Sequence, residues 1–201
     1  MKDLKNIIFD FGGVLIDWNP VYLYRKVFDR EEEMNFFLEN ICRYDWNLLQ
    51  DEGRPLAEGT RLLQEKFPEY VDEIAMYYGR WEEMLGGTYD ENTRLIGPLK
   101  EKYKVYGLTN WSAETLPLAM KRYDFFQYLD GIVVSGEEKM VKPDRRLYEV
   151  LLERYDLLAG ESLFIDDNAA NIETARELGF HVVHFAGGLN LEQRLRENGI
   201  L

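Results

Sequence analysis

Asp10 stands at the end of an apolar run, Ile7-Ile8-Phe9, and is followed within three residues by Gly12-Gly13. A carboxylate delivered by a buried strand and backed by glycines that let the main chain approach a ligand is placed to act as nucleophile, base or metal ligand. A second acidic feature, Asp166-Asp167, follows Leu163-Phe164-Ile165 directly. Adjacent carboxylates repel each other, and a hard cation relieves that repulsion; Mg2+ characteristically uses one or two carboxylates, keeps waters and accepts phosphate oxygens. Lys142 precedes Pro143 where a loop turns into a helix, and its ammonium could offset both a carboxylate cluster and a phosphate. Thr109 and Asn110 close another apolar run and supply a hydroxyl and an amide suited to phosphate oxygens. Taken singly, each has an ordinary alternative: a helix-capping aspartate, a solvated lysine, a pair of turn residues.

Bringing these groups together requires strands that end at one edge. From Tyr89 onward the pattern alternates, with strands expected over Lys104–Thr109, 131–135, 162–165 and 181–185. Helices are expected near 91–102 (disturbed at Gly97-Pro98), 113–123, 145–155, 169–178 and from about Leu191. Strand and helix in alternation predict an α/β fold, a Rossmann-like parallel sheet flanked by helices, with ligands at the strands' carboxyl ends. Between Asp17 and Gly86 the apolar spacing is three and four throughout, as in Met34/Phe37/Leu38/Ile41 and Ile74/Ala75/Tyr78/Trp81. Asn19-Pro20 reads as a helix start and Gly86-Gly87 as the end of the block. The expected organisation is therefore an α/β core, residues 1–17 and 88–201, interrupted by a helical cap, residues 18–87, whose two crossings suit a lid over the sheet edge.

A chain of 201 residues, 46% hydrophobic, can bury a substantial core. Its net charge of −13, from 24 basic and 37 acidic side chains, repels nucleic acid and anionic membranes, so any anionic small molecule must meet a locally positive site. Neither a secretory leader nor an apolar run of spanning length is present, and the cytoplasm is the expected location. Cys42, the single cysteine, reads as packing. Trp46, Trp81, Tyr44, Tyr77 and Tyr78 fall at helical positions and read as core of the helical block, whereas Trp18 and Trp111, each beside a motif, are expected to line the pocket. His181 and His184, three apart on an expected strand, point to opposite faces and make a poor metal pair.

The ordered set of motifs resembles the haloacid dehalogenase superfamily, which consists mostly of phosphatases. Residues 7–14 match its first motif, with Asp10 as nucleophile; Leu108-Thr109-Asn110 match the second; Lys142 in Val141-Lys142-Pro143-Asp144 matches the third; Phe164-Ile165-Asp166-Asp167-Asn168 with Asn171 match the acidic fourth. The resemblance implies a two-step phosphoryl transfer in which Asp10 attacks phosphorus and water hydrolyses the aspartyl phosphate. It further implies Mg2+ held by Asp10, the Gly12 carbonyl and Asp167, with Asp166 as a further or water-mediated ligand, and Thr109, Asn110 and Lys142 on the transferring oxygens. The partner it implies is a small phosphorylated molecule chosen by the cap.

One position departs from the pattern. The second aspartate that protonates the leaving oxygen in most phosphatases of the family is Gly12 here, and acid catalysis of this kind is worth about 10²–10⁴ in rate. Asp17 is the nearest replacement in sequence. A sugar 1-phosphate or acyl phosphate would need less help, and bacterial glucose-1-phosphate phosphatases are similar in carrying Asp-x-Gly in the first motif. Two other readings stay open at this point: a metal-free 2-haloacid dehalogenase, which attacks carbon with the same carboxylate but generally lacks the acidic pair, and a non-catalytic module that binds phosphorylated ligands.

Overall fold

The structure is a computed structural model and describes residues 3–186 and 188–201. Its strands are β1 (Asn6–Phe9), β2 (Ile16–Trp18), β3 (Leu85–Thr88), β4 (Lys104–Thr109), β5 (Gly131–Val134), β6 (Ser162–Asp166) and β7 (His181–His184). Five of them form one parallel sheet in the order β5-β4-β1-β6-β7. The chain leaves β1 for β4 on one side and later adds β6 on the other, so a crevice opens at the carboxyl end of β1, where strand order reverses. This is the expected α/β architecture, and β1 and β6 are buried along their whole length, as a sheet covered on both faces requires.

Between β2 and β3 lie the helices α1 (Val21–Tyr24), α2 (Glu31–Asn40), α3 (Tyr44–Asp51), α4 (Leu56–Lys66) and α5 (Val71–Gly79). The Asn19 side chain accepts from the Val21 amide at 2.9 Å, so this chain segment starts its helix where Asn19-Pro20 predicts. The core of this lobe is aromatic: Tyr24 packs on Phe37 at 4.8 Å between ring centroids, and Trp46 meets Tyr77 edge-on at 5.0 Å. Cys42 is buried there, and burial pushes its thiol well above the ordinary range, consistent with packing.

On the sheet side stand α6 (Asp90–Thr93), α7 (Ile96–Lys100), α8 (Leu116–Arg122), α9 (Ser135–Glu138), α10 (Arg145–Tyr155), α11 (Ala169–Glu177) and α12 (Leu191–Glu197). The helix expected over 91–102 is two short ones. Pro98 sits in the first turn of α7, where a missing amide costs nothing, and so marks a restart rather than a continuation. Pro117 likewise falls in the first turn of α8 and sets its start later than residue 113. No helix among the described residues is long and apolar enough to cross a membrane.

Two features were not expected. First, the entrance and exit of the helical lobe pair as an antiparallel ribbon, Ile16 opposite Thr88 and Asp17 opposite Gly87. Second, Phe11 turns back over β4: its ring lies edge-on to Trp111, Phe125 and Phe126, and a Cβ on Gly107 would fall 2.2 Å from its Cζ. Gly107 is thus the space into which the residue beside Asp10 locks. Because Phe11 is fully buried and hemmed in by three rings, it cannot yield, and Gly107→Ala should cost about 1–3 kcal/mol, lowering the thermal midpoint by roughly 2–12 °C. Differential scanning calorimetry of the variant checks this; an unchanged midpoint would contradict the packing described.

Candidate active site

Asp10 is the first residue past β1, and a tight turn follows in which the Leu15 and Ile16 amides both donate to the Phe11 carbonyl, each at 2.8 Å. Its Oδ1 accepts from the Phe11 amide at 2.8 Å and lies 3.0 Å from Lys142 Nζ. Oδ2 has no hydrogen-bond partner among the described residues. Lys142, 2% exposed, also donates to Asp166 Oδ2 at 2.7 Å and to the Leu108 carbonyl at 2.8 Å, so all three ammonium protons are used. Burial alone would lower the Lys142 pKa, but Asp10 and Asp166 outweigh it and hold the ammonium above its ordinary value. For Asp10 the balance runs the other way. Loss of hydration pushes its carboxyl up to about 7 against the pull of Lys142, with Asp166 and Asp167 adding to the rise.

Asp166, at the end of β6, is inaccessible to solvent, and each of its oxygens takes two donors. Oδ1 accepts from the Asn168 amide at 2.7 Å and Asn171 Nδ2 at 3.1 Å; Oδ2 accepts from Lys142 and from Asn171 Nδ2 at 3.0 Å. Asp167 is exposed at the crevice, and its main chain is held from the far side by His184, whose Nε2 lies 2.9 Å from the Asp167 carbonyl. Lost hydration and Asp166 together raise the Asp167 pKa as well. Gly13 makes room for this carboxylate: its φ is +73°, and a Cβ there would fall 2.3 Å from Asp167 Oδ2. Asp10, Asp166 and Asp167 each bring an oxygen within 4.8 Å of the others, a cluster with the donor chemistry of a hard divalent cation.

Thr109 ends β4 beside β1, and its Oγ1 is buried with no hydrogen-bond partner. A buried hydroxyl without a partner costs free energy unless a ligand supplies the bond. Asn110 is placed differently from expectation. Its Oδ1 accepts from the Lys142 amide at 2.8 Å and its Nδ2 donates to the Lys142 carbonyl at 3.0 Å, so the side chain clamps Lys142 to β4 instead of presenting a free amide to a ligand.

Above the sheet edge lies a cavity of about 400 Å3, lined from below by Asp10, Gly12, Gly13, Asn110, Lys142 and Asp167. Trp18 and Trp111 line it, as their positions beside the motifs predict, and Trp81, 5.5 Å from Trp111 between ring centroids, continues the aromatic wall. The helical lobe adds Tyr44, Asn47, Asp51 and Tyr78. The expectation that Tyr44 is interior packing is corrected, since it is exposed; Trp81, buried in the core, and Tyr78, half-buried against it, pack as expected and also border the cavity. The available signal was the spacing of Tyr44, Asn47 and Asp51, one face of α3, which as a polar stripe reads equally as a solvated surface.

Asp17, expected as a replacement acid, is not among the cavity residues. Its Oδ2 accepts from the Tyr22 hydroxyl at 2.7 Å and points at Gly86, where a Cβ would fall 2.4 Å away. It is half-buried on the β2–β3 ribbon, opposite Gly87, with its carboxylate held by Tyr22.

With this geometry in hand, comparison with known proteins gives a consistent result. A family model described as haloacid dehalogenase-like hydrolase matches residues 4–179. A D-ribitol-5-phosphate phosphatase of Bacteroides thetaiotaomicron is 26% identical over 96% of this chain and 97% of its own length. An (S)-2-haloacid dehalogenase of a Pseudomonas species is 30% identical over 91% of this chain and 85% of its own. Among solved structures, a HAD family enzyme of Bacteroides thetaiotaomicron in complex with magnesium and inorganic phosphate superposes with a TM-score of 0.73 at 25% identity, covering 96% of this chain and 100% of that one.

The ion triad carries a stability consequence of its own. Lys142→Met would leave Asp10 and Asp166 facing each other in the interior without their cation, a loss of about 3–5 kcal/mol. Urea denaturation in excess chelator should show a lower midpoint with an unchanged slope; an unaltered midpoint would show that the carboxylates do not need the ammonium.

Proposed function

The chain belongs to the haloacid dehalogenase-like hydrolases, and from that premise we propose that it is a Mg2+-dependent phosphatase that hydrolyses a small phosphorylated metabolite through a phosphoaspartyl intermediate on Asp10. The observation that carries this reading is the unpartnered Thr109 hydroxyl, buried at the end of the strand next to Asp10 and on the same strand edge as Lys142. A phosphate oxygen would satisfy it, and Asp10, just past the end of the neighbouring strand, keeps one oxygen uncommitted for attack.

The cofactor is Mg2+, and the residues suited to hold it are Asp10 and Asp167, with the carbonyl of Gly12, a residue lining the same cavity, as the further ligand that the family resemblance implies. Asp166, with both oxygens already engaged, acts through a water and through its charge on Lys142. Among the cavity residues Lys142 is the only cation, set against Asp10, Asp51 and Asp167. A divalent cation is what lets an anionic nucleophile meet an anionic substrate in such a site, by neutralising charge on the phosphoryl oxygens.

The chain's own groups then divide the work. Lys142, held by Asn110 and Asp166, would offset negative charge on the phosphoryl group through its field, with its three protons kept on Asp10, Asp166 and the Leu108 carbonyl. The Thr109 hydroxyl orients a second oxygen. Asp10 attacks phosphorus in line with the departing oxygen, and water afterwards cleaves the acyl phosphate and frees Asp10. The aromatic wall of Trp18, Trp81 and Trp111 suits the carbon face of a sugar or polyol, and the Tyr44 hydroxyl suits its oxygens, which makes a sugar or polyol phosphate the substrate class we favour. The phosphatase similar to this chain named for ribitol phosphate agrees with that class.

The dehalogenase at 30% identity supports a second reading, in which the same carboxylate attacks carbon without metal. The acidic pair and the cavity's deficit of positive charge favour phosphate. A panel of phosphorylated metabolites with 2-chloropropionate as control decides between them. Turnover of phosphate esters should require Mg2+, fall by at least about 10² in excess chelator and be lost in Asp10→Asn, and wild-type protein should form a beryllofluoride adduct on Asp10. Chloride release that survives the chelator, with no phosphate release, would establish the dehalogenase reading instead.

A further inference from the structure

We propose that Asp51, carried by the helical lobe, is the acid that protonates the leaving oxygen, in place of the carboxylate that Gly12 does not supply. The proposal rests on the phosphatase reading above.

Three carboxylates line the cavity. Asp10 is committed to attack, and Asp167 lies in the acidic cluster at the edge of the sheet. Asp51, at the end of α3, is the one that the helical lobe, and not the sheet edge, brings to the cavity, and it is free of the acidic cluster. The phenol of Tyr44 is raised by lost hydration and then by Asp51 and Asp10, so a single hydroxyl feels the charges of both carboxylates.

Asp51 is also held in place by a buried polar relay. Arg54 Nε donates to Gln50 Oε1 at 2.5 Å, Gln50 Nε2 to the Tyr78 hydroxyl at 2.9 Å, the Tyr78 hydroxyl to Asn47 Oδ1 at 2.8 Å, and Asn47 Nδ2 to Asp51 Oδ2 at 2.9 Å. Asn47 and Gln50 are buried, and Gly59 is the space that admits Gln50, since a Cβ there would fall 2.5 Å from its Oε1. A relay of this kind in a small helical lobe gains nothing for packing that apolar residues would not give; it fixes a carboxyl rotamer. The main chain is fixed as well: the Asp51 carbonyl accepts from Ser135 Oγ at 2.5 Å.

Loss of hydration pushes the Asp51 carboxyl up to about 7, against the pull of the Ser112 amide. The titratable side chains that face it, Tyr44, Tyr77 and Tyr78, all have phenols raised above their ordinary value and so stay neutral. A carboxyl near 7 in a water-poor recess can both give and recover a proton at neutral pH.

The proton balance closes. As Asp10 bonds to phosphorus, the bond from phosphorus to the substrate oxygen breaks, and that oxygen takes the Asp51 proton and leaves as an alcohol. In the second step the Asp51 carboxylate takes a proton from water, whose hydroxide bonds to phosphorus as the acyl phosphate bond breaks, giving inorganic phosphate and restoring both residues.

The test compares kcat/KM, which reports the step in which the leaving group departs, for an alkyl phosphate and for p-nitrophenyl phosphate, whose leaving group needs little protonation. In Asp51→Asn the alkyl phosphate value should fall by about 10²–10³, and the nitrophenyl value should fall at least tenfold less. A Cβ on Gly12 meets nothing within 4 Å, so Gly12→Asp introduced into Asp51→Asn should recover at least tenfold of the alkyl phosphate loss. Equal losses on both substrates, or a double variant no better than the single one, would overturn the role of Asp51. Wild-type protein inactive on both substrates with Mg2+ present would instead overturn the phosphatase reading, and this proposal with it. Beryllofluoride adduct formation in Asp51→Asn at the wild-type level shows that the nucleophile and its surroundings are intact in the variant.

Discussion

Everything at this sheet edge depends on one buried cation. Lys142 Nζ lies 3.0 Å from Asp10 and 2.7 Å from Asp166, all three groups nearly closed to water. Two carboxylates brought this close by adjacent parallel strands would not both ionise without it, and an un-ionised Asp10 is no nucleophile. The ammonium is costly to bury, and the structure meets that cost with a complete set of acceptors and with the Asn110 clamp on the Lys142 main chain. In the order β4-β1-β6 each of the three neighbouring strand ends gives the ammonium one acceptor: Leu108, Asp10 and Asp166.

From that anchor the site grows outward in layers of decreasing burial. Asp166 is sealed, Asp10 is nearly so, and Asp167 is open to the cavity, with Gly13 cleared to admit it. Rigidity behind Asp10 and openness at the cavity are opposite properties met on consecutive residues, Asp166 and Asp167. The β6 end can satisfy both because Asp166 terminates the strand while Asp167 begins the turn into α11.

Much of this was legible in the sequence, and the parts that were not share a cause. The strand Lys104–Thr109 and the helix Arg145–Tyr155 fall where the apolar period places them, and Asp10, Lys142, Asp166 and Asp167 come together as the order of motifs implies. The β2–β3 ribbon escaped because Leu85–Thr88 contains two glycines and is too short to show a period of two. Asp17 could not be oriented for the same reason, since it lies opposite Gly87 in that ribbon. Asn110 was legible as a residue but not as a partner: which stretch of main chain it clamps depends on a contact thirty-two residues away. Asp51 gave no local signal, because a polar stripe on a helix declares neither what it faces nor what lies across the gap.

The position of Asp51 also bears on why the chain has glycine at residue 12. Nothing crowds that position, so an aspartate there is sterically admissible and its absence is not a packing necessity. An acid fixed in the β1 turn would be present whether or not the helical lobe covered the cavity. An acid on α3 is in place only when the lobe is seated, with the Asp51 carbonyl on Ser135, the Leu56 amide on Glu114 at 2.9 Å, and Gly53 so near the Gly136 carbonyl that a Cβ would fall 2.8 Å from it. With Asp51 as proton donor, departure of the leaving group would be tied to the seating of the helical lobe, through residues that already hold the lobe against the sheet domain.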